Sequence, residues 1–180
     1  DGGAGYDYAW IDRQTSANGL VASILDNVTG TVVLSDGTTL TGIEYVGISG
    51  SDHASDSLTG GNGDDTLYGN GGDDSLVGAG GNDFLDGGAG DDFLDGASGN
   101  DNIVAGSGID TIDGGDGNDS LEINRSDSPA GIEFSIAGNQ GDWVVLADGT
   151  SIRNIERVVV FGSQVAGDSL TGGSQTDELH

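Results

Sequence analysis

The sequence predicts an all-β solenoid, a chain wound into stacked coils of short parallel strands. Two observations predict it. From Gly60 to Glu122 one nine-residue pattern runs seven times without a gap: GGNGDDTLY, GNGGDDSLV, GAGGNDFLD, GGAGDDFLD, GASGNDNIV, AGSGIDTID and GGDGNDSLE. A period this short belongs to a solenoid, because one such unit cannot bury its own apolar face and must stack on its neighbours. The flanking segments, secondly, are rich in Val, Ile, Thr and aromatics and are broken by Asp-Gly, so they read as strands and hairpins. No segment reads as a helix.

Within the nonapeptide, the first six residues read as a turn and the last three as a strand. The sixth position is always Asp: Asp65, Asp74, Asp83, Asp92, Asp101, Asp110 and Asp119. The eighth is always aliphatic: Leu67, Leu76, Leu85, Leu94, Ile103, Ile112 and Leu121. Position 8 points inward and positions 7 and 9 outward, by the two-residue alternation of a strand. Nine residues cannot return a strand to its own sheet, so two units, 18 residues, make one coil. The sixth-position carboxylates then line two edges: Asp65, Asp83, Asp101 and Asp119 on one, Asp56, Asp74, Asp92 and Asp110 on the other.

Carboxylates stacked about 4.8 Å apart, one strand spacing, repel one another if left bare. A divalent cation between each pair reverses the sign of that interaction. Glycine-rich turns let main-chain carbonyls converge beside the carboxylates, and calcium takes six to eight such oxygens. The candidate ligands are therefore the seven Asp and the carbonyls of the first and third positions. These are Gly60 and Asn62, Gly69 and Gly71, Gly78 and Gly80, Gly87 and Ala89, Gly96 and Ser98, and Ala105 and Ser107. Asp7, Asp56, Asp168 and Asp177 stand in degenerate copies and are weaker candidates. About five or more calcium ions are expected.

A longer period of 112 residues overlies the short one. Residues 1–68 align without a gap on residues 113–180, with 32 of 68 positions identical. The run VVLSDGTTLTGIEYV from Val32 matches VVLADGTSIRNIERV from Val144, and Asp36-Gly37 and Asp148-Gly149 are hairpin turn signals inside it. Gly19–Asp26 and Gly131–Ala137 read as preceding strands, and Pro129 falls in a loop. The expected organisation is a partial nonapeptide at 1–7, a β-rich spacer at 8–50 and a roll at 51–122. Within the roll, 51–59 is a degenerate cap and 60–122 are the seven repeats. A spacer homologous to the first follows at 123–162, and the start of a second repeat block at 163–180. Repeat fragments at both ends mark the chain as an excerpt of a longer protein.

Charge narrows the partners. The chain carries 31 acidic residues against four Arg and no Lys, a formal net charge of −27. Ser51–Glu122 holds 17 acidic residues and neither Arg nor Lys. Such a segment binds cations or stays expanded. The acidic bias excludes nucleic acid and anionic membrane surfaces as partners, which require Lys/Arg footprints. No apolar run approaches the ~18 residues of a membrane-spanning helix, and the absence of Cys leaves the redox compartment open.

The seven units resemble the RTX (repeats-in-toxin) family, whose repeat is G-G-x-G-x-D-x-U-x with U aliphatic. The resemblance implies a right-handed parallel β-roll with calcium between turns. It also implies secretion from a bacterium through a type I system, with folding triggered by extracellular calcium. Asn70, Ala79 and Ala97 depart from the second glycine and Ala105 from the first. Ser51–Thr59 keeps Asp56 and Leu58 but lacks the glycines, which marks it as a cap. Gln175 replaces the fourth-position glycine in Gly172–His180.

Catalysis is not expected. His53 and His180 stand in no HExxH motif, there is no GxSxG elbow, and the paired carboxylates read as calcium ligands in this periodic setting. The expected role is a structural, secretion-related module that folds on calcium. The alternative is a carbohydrate- or surface-binding, adhesin-like module attached to an enzyme or toxin, with glycans or cell-surface components as partners. Trp10 and Trp143 are expected to cover exposed edges or to cap the solenoid, with an aromatic ligand platform as the alternative.

Overall fold

The computed structural model describes residues 2, 4–24, 31–125, 133–135, 141–162, 169–171 and 178–179. Among these every regular element is a strand. Pro129, Asp168, Asp177 and His180, with the rest of 163–168 and 172–177, lie outside the described residues.

Two sheets enclose one apolar core. The larger runs through Tyr8–Asp12, Tyr45–Ser49, Thr66–Tyr68, Phe84–Asp86, Asn102–Val104, Ser120–Asn124, Arg157–Phe161 and Glu178–Leu179. The second runs through Val144–Val145, Ser151–Arg153, Thr111–Asp113, Phe93–Ser98, Ser75–Gly80, Ser57–Thr59 and Val21–Ser23. Every pairing inside these sheets is parallel except Val144–Val145 with Ser151–Arg153. Through the repeats the chain alternates between sheets, as a β-roll requires.

The coil is 18 residues long. Thr66 faces Phe84, Phe84 faces Asn102 and Asn102 faces Ser120; in the other sheet Ser57, Ser75, Phe93 and Thr111 form the matching row. Leu67, Leu85, Ile103 and Leu121 stack on one inner face, with Leu58, Leu76, Leu94 and Ile112 on the other, all at 0% exposure. Each such side chain stabilises the fold by about 1.5–3 kcal/mol of burial.

The flanking segments join the same solenoid as longer coils. Tyr8 pairs with Tyr45 and Ser120 with Arg157, both 37 residues apart, against 18 in the repeats. The added length holds a hairpin: Thr31–Val33 against Thr39–Thr41 in one copy, Val144–Val145 against Ser151–Arg153 in the other. Asp-Gly supplies each turn, with Gly37 at φ 88° and Gly149 at φ 101°, donating to Leu34 and Leu146 carbonyls. Leu34, Ile43 and Val46 are buried, as are their counterparts Leu146, Ile155 and Val158.

Ser51–Thr59 caps nothing. Its strand lies between Val21–Ser23 and Ser75–Gly80, because the preceding segment returns a strand to the same sheet and covers the edge a cap would cover. Trp10, half exposed, meets Tyr68 edge-on at 6.1 Å. Trp143 lies under the Arg153 guanidinium at 4.4 Å.

Candidate metal centre

Each sixth-position carboxylate is held one coil from the next by its own main chain. The Asp65 N–H donates to Asp83 Oδ1, Asp83 to Asp101 and Asp101 to Asp119, all at 2.8 Å. On the other edge Asp56 donates to Asp74 at 2.7 Å, Asp74 to Asp92 at 2.9 Å and Asp92 to Asp110 at 3.2 Å. This bond uses one oxygen of each carboxylate. The second, Oδ2 of Asp74, Asp83, Asp92, Asp101, Asp110 and Asp119, is buried with no hydrogen-bond partner. A buried carboxylate oxygen left this way is costly; Asp110 has the Arg125 guanidinium 3.6 Å from its Oδ2, and the other five oxygens have no counter-charge and ask for a cation.

The surroundings of these oxygens are main-chain carbonyls. A Cβ added at Gly69, Gly78, Gly87 or Gly96 would strike the Oδ2 of its own repeat and the carbonyl oxygen of Gly87, Gly96, Ala105 or Gly114 respectively. These four first positions are bare, which leaves room for an oxygen pocket, and every first-position residue of the block, Ala105 included, is buried. Of the third-position residues Gly71 is buried and Gly80 half-buried, while Asn62, Ala89, Ser98, Ser107 and Asp116 are exposed. Ala89, Ser98 and Ser107 already accept the N–H of Gly72, Gly81 and Gly90, which leaves one lone pair on each carbonyl. Among the described residues no three acidic or histidine side chains converge on one point. A cation held here would take most of its oxygens from the backbone, the donor set suited to calcium.

Burial is the main cause of a raised carboxylate pKa throughout the rows, and at Asp74, Asp83, Asp92, Asp101 and Asp119 the like charge on the neighbouring coil adds to it. Asp74 and Asp83 are pushed up to about 7, and Asp92, Asp101 and Asp119 to about 6. Asp56, Asp65 and Asp110 are raised as well. The folded chain resists carrying these charges without a counter-ion.

The family model for the RTX calcium-binding nonapeptide repeat (four copies) matches residues 54–85, 68–103 and 95–122. The repeat block is an RTX array. Curated proteins give no match to the chain. RTX repeats bind calcium as a class, and the orphaned oxygens of this array fit that ion.

The first RTX unit departs from the rest. Asp65 Oδ2 accepts the Gly61 N–H at 2.5 Å and Oδ1 the Val46 N–H at 2.7 Å, so no oxygen is orphaned. Asp56 is satisfied in the same way by Ser51 and Leu20. The cause is the flanking segment: a Cβ on Gly63 would strike the Glu44 carbonyl, so this loop packs on protein where later loops pack on another RTX turn. Gly60 is buried and Asn62 exposed in it.

The two edges of the array end differently. At one, Arg125 reaches over Asp110, its Nη2 3.6 Å from Oδ2, and donates to the carbonyls of Gly106 and Gly108 and to Asp148. At the other, Asp119 donates its N–H to Glu156 at 2.7 Å. Asp7 does the same to Glu44 at 2.8 Å in the first copy, its own Oδ2 orphaned.

Sequence reasoning passed over the fifth position. Asn82 donates to Asp64, Asn100 to Asn82 and Asn118 to Asn100, through main-chain N–H at 2.6, 2.9 and 2.9 Å. Asp91 and Ile109 continue the pattern on the other edge from Asp73. This exposed ladder runs opposite in direction to the buried Asp ladder. Its signal was Asp or Asn at six of the seven fifth positions.

Proposed function

We propose that this segment is a calcium-dependent folding module of a larger protein secreted through a type I system. It stays expanded until it meets extracellular calcium and then becomes a rigid, structural β-roll. The observation that supports this is the set of five orphaned, buried carboxylate oxygens, of Asp74, Asp83, Asp92, Asp101 and Asp119, beside backbone carbonyls, in a chain of net charge −27. When bound, calcium supplies the positive charge and the coordination these oxygens lack. The chain's own contribution is to place one carboxylate per half-coil and to keep the first-position residues small, Gly in six repeats and Ala105 in the other. The module carries no catalysis in this reading. The test is far-UV circular dichroism in EDTA and in millimolar calcium. A coil spectrum that becomes β-type only with calcium supports the proposal, with magnesium a poor substitute because it demands a tight octahedron. Equal β spectra in both media overturn it.

A second reading, a glycan- or surface-binding module, draws on one observation. Trp10, Tyr68 and Phe84 form a chain of ring contacts, at 6.1 and 5.6 Å, on strands of the larger sheet, with Trp10 half exposed. Aromatic faces of this kind stack on sugars. Glycan-array binding in calcium that Trp10→Ala abolishes supports it, and no binding on the array counts against it.

A further inference from the structure

We infer that the ladder of cation sites does not stop with the repeats: Asp119, the Asn154 carbonyl and Glu156 form a further calcium site in the flanking segment, and Asp7, the Gly42 carbonyl and Glu44 form its copy. The inference rests on the calcium reading of the repeats and extends it to residues outside the nonapeptide pattern.

Register carries the argument. Inside the block each Asp gives its N–H to the carboxylate one coil on, and its carbonyl accepts the N–H of the first strand residue there; Asp101 does so with Asp119 and Ser120. Asp119 repeats both bonds across the longer coil, its N–H to Glu156 Oε2 and its carbonyl accepting from Arg157. Glu156 therefore stands where a sixth-position Asp would stand. The first-position residue is matched too. Gly69 and Gly87 donate to the carbonyls of Asp86 and Val104, the residues just before the next coil's first position. Gly114 donates to Arg153, which makes Asn154 the stand-in for that first position. A Cβ on Gly114 would collide with the Asn154 carbonyl oxygen and come within 2.8 Å of Asp119 Oδ2, as in the repeats.

Asp119 is 0% exposed and its Oδ2 has no partner, so an oxygen aimed at this pocket is already present. Three residues, Asn154 to Glu156, do the work of a six-residue repeat turn; Asn154 takes a left-handed φ of 53° to make the shorter bend. Its side chain is engaged with Asp113 and Gly141, which leaves the carbonyl for the pocket. The extra methylene of Glu over Asp suits the shorter turn. The same arrangement recurs 112 residues earlier. Asp7 donates to Glu44 and accepts from Tyr45, Gly2 donates to Thr41, Gly42 has φ 61°, and Asp7 Oδ2 is orphaned. The other edge offers the contrast, since Arg125 stands over Asp110 there with a fixed positive charge. One edge closes with an arginine while the other carries an acid onward.

The experiment counts calcium bound by the full 180-residue chain, by equilibrium dialysis at saturating calcium. Glu156→Gln keeps an acceptor for the Asp119 N–H while removing the charge and one ligand oxygen. The stoichiometry is expected to fall by one ion with the β spectrum retained, and by two in the Glu44→Gln/Glu156→Gln double variant. An unchanged stoichiometry overturns the flanking site and leaves the repeat sites standing. No calcium bound by the unsubstituted chain overturns the calcium reading itself, and with it this site. Should Glu156→Gln fail to fold in calcium, Glu44→Gln carries the same count at the other copy.

Discussion

Asp92 accepts the main-chain N–H of Asp74, one coil away, through Oδ1 at 2.9 Å and keeps Oδ2 buried and unbonded. One carboxylate thus does two jobs. Its first oxygen sets the spacing between coils in the fold, and its second is left for a cation. The division explains why Asp and no amide occupies the sixth position of all seven repeats, while the exposed fifth position accepts Asn and Asp alike.

The metal-free chain is expected to gain structure on acidification. In the fold Asp74 and Asp83 sit at about 7 and Asp92, Asp101 and Asp119 at about 6, above the ordinary 3.8. A folded pKa above the unfolded one favours the fold while protonated, so the stabilisation is complete below 3.8 and is lost as pH rises through 6 to 7. Circular dichroism in EDTA should show β signal growing from pH 7.5 towards 4. With calcium present the dependence reverses, and the calcium midpoint rises as pH falls below about 6. A pH-independent spectrum in EDTA contradicts this.

The two homologous arginines separate a buried ion pair from an exposed one. Arg125, with its side chain 12% exposed, faces the fully buried Asp110, whereas Arg13 meets Asp36 with both about one-third exposed. Arg125→Met should destabilise the calcium-loaded chain by about 3 kcal/mol, because it leaves a buried carboxylate without its counter-charge. Arg13→Met should cost about 0–1 kcal/mol. Urea denaturation in saturating calcium measures both, and equal costs would refute the distinction.

One alanine-to-glycine change should stabilise and another should not. Ala97 holds a second-position φ of 67°, a conformation that costs a side-chain-bearing residue about 1–2 kcal/mol. Ala97→Gly is expected to stabilise by about 0.5–1 kcal/mol, the strain relieved less the entropy of glycine. Ala105, fully buried and without such a φ, should lose about 1 kcal/mol on the same change. Thermal midpoints in calcium moving in the same direction would contradict the assignment of strain.

The roll was legible because its period is written in side chains that can do only one thing there. An aliphatic at every eighth position must be inside, and it is: Leu94 stacks between Leu76 and Ile112. The two carboxylate rows follow from the same count of 18. The ends were not legible. Whether Asp65 faces a repeat or a flanking segment depends on a coil of 37 residues returning to the same sheet, a closure that no local pattern encodes. That closure places Glu44 and Glu156 in the sixth-position register and gives the Ser51–Thr59 strand a neighbour on each side. The fifth-position ladder was written in the sequence as Asn and Asp, which also read as plain turn residues.

The central claim is that calcium binds an ordered ladder at the sixth positions and is not merely condensed on an acidic chain. The measurement is a calcium titration followed by circular dichroism on Asp92→Asn and Asp116→Asn, which remove the same charge. Asp92 is buried in the middle of a row, and its amide would keep the Oδ1 contact while losing the charged oxygen that faces the carbonyls. Asp116 is exposed at a third position. Asp92→Asn should raise the calcium midpoint clearly, and Asp116→Asn should leave it near that of the unsubstituted chain. Equal midpoints for the two variants would contradict the ladder.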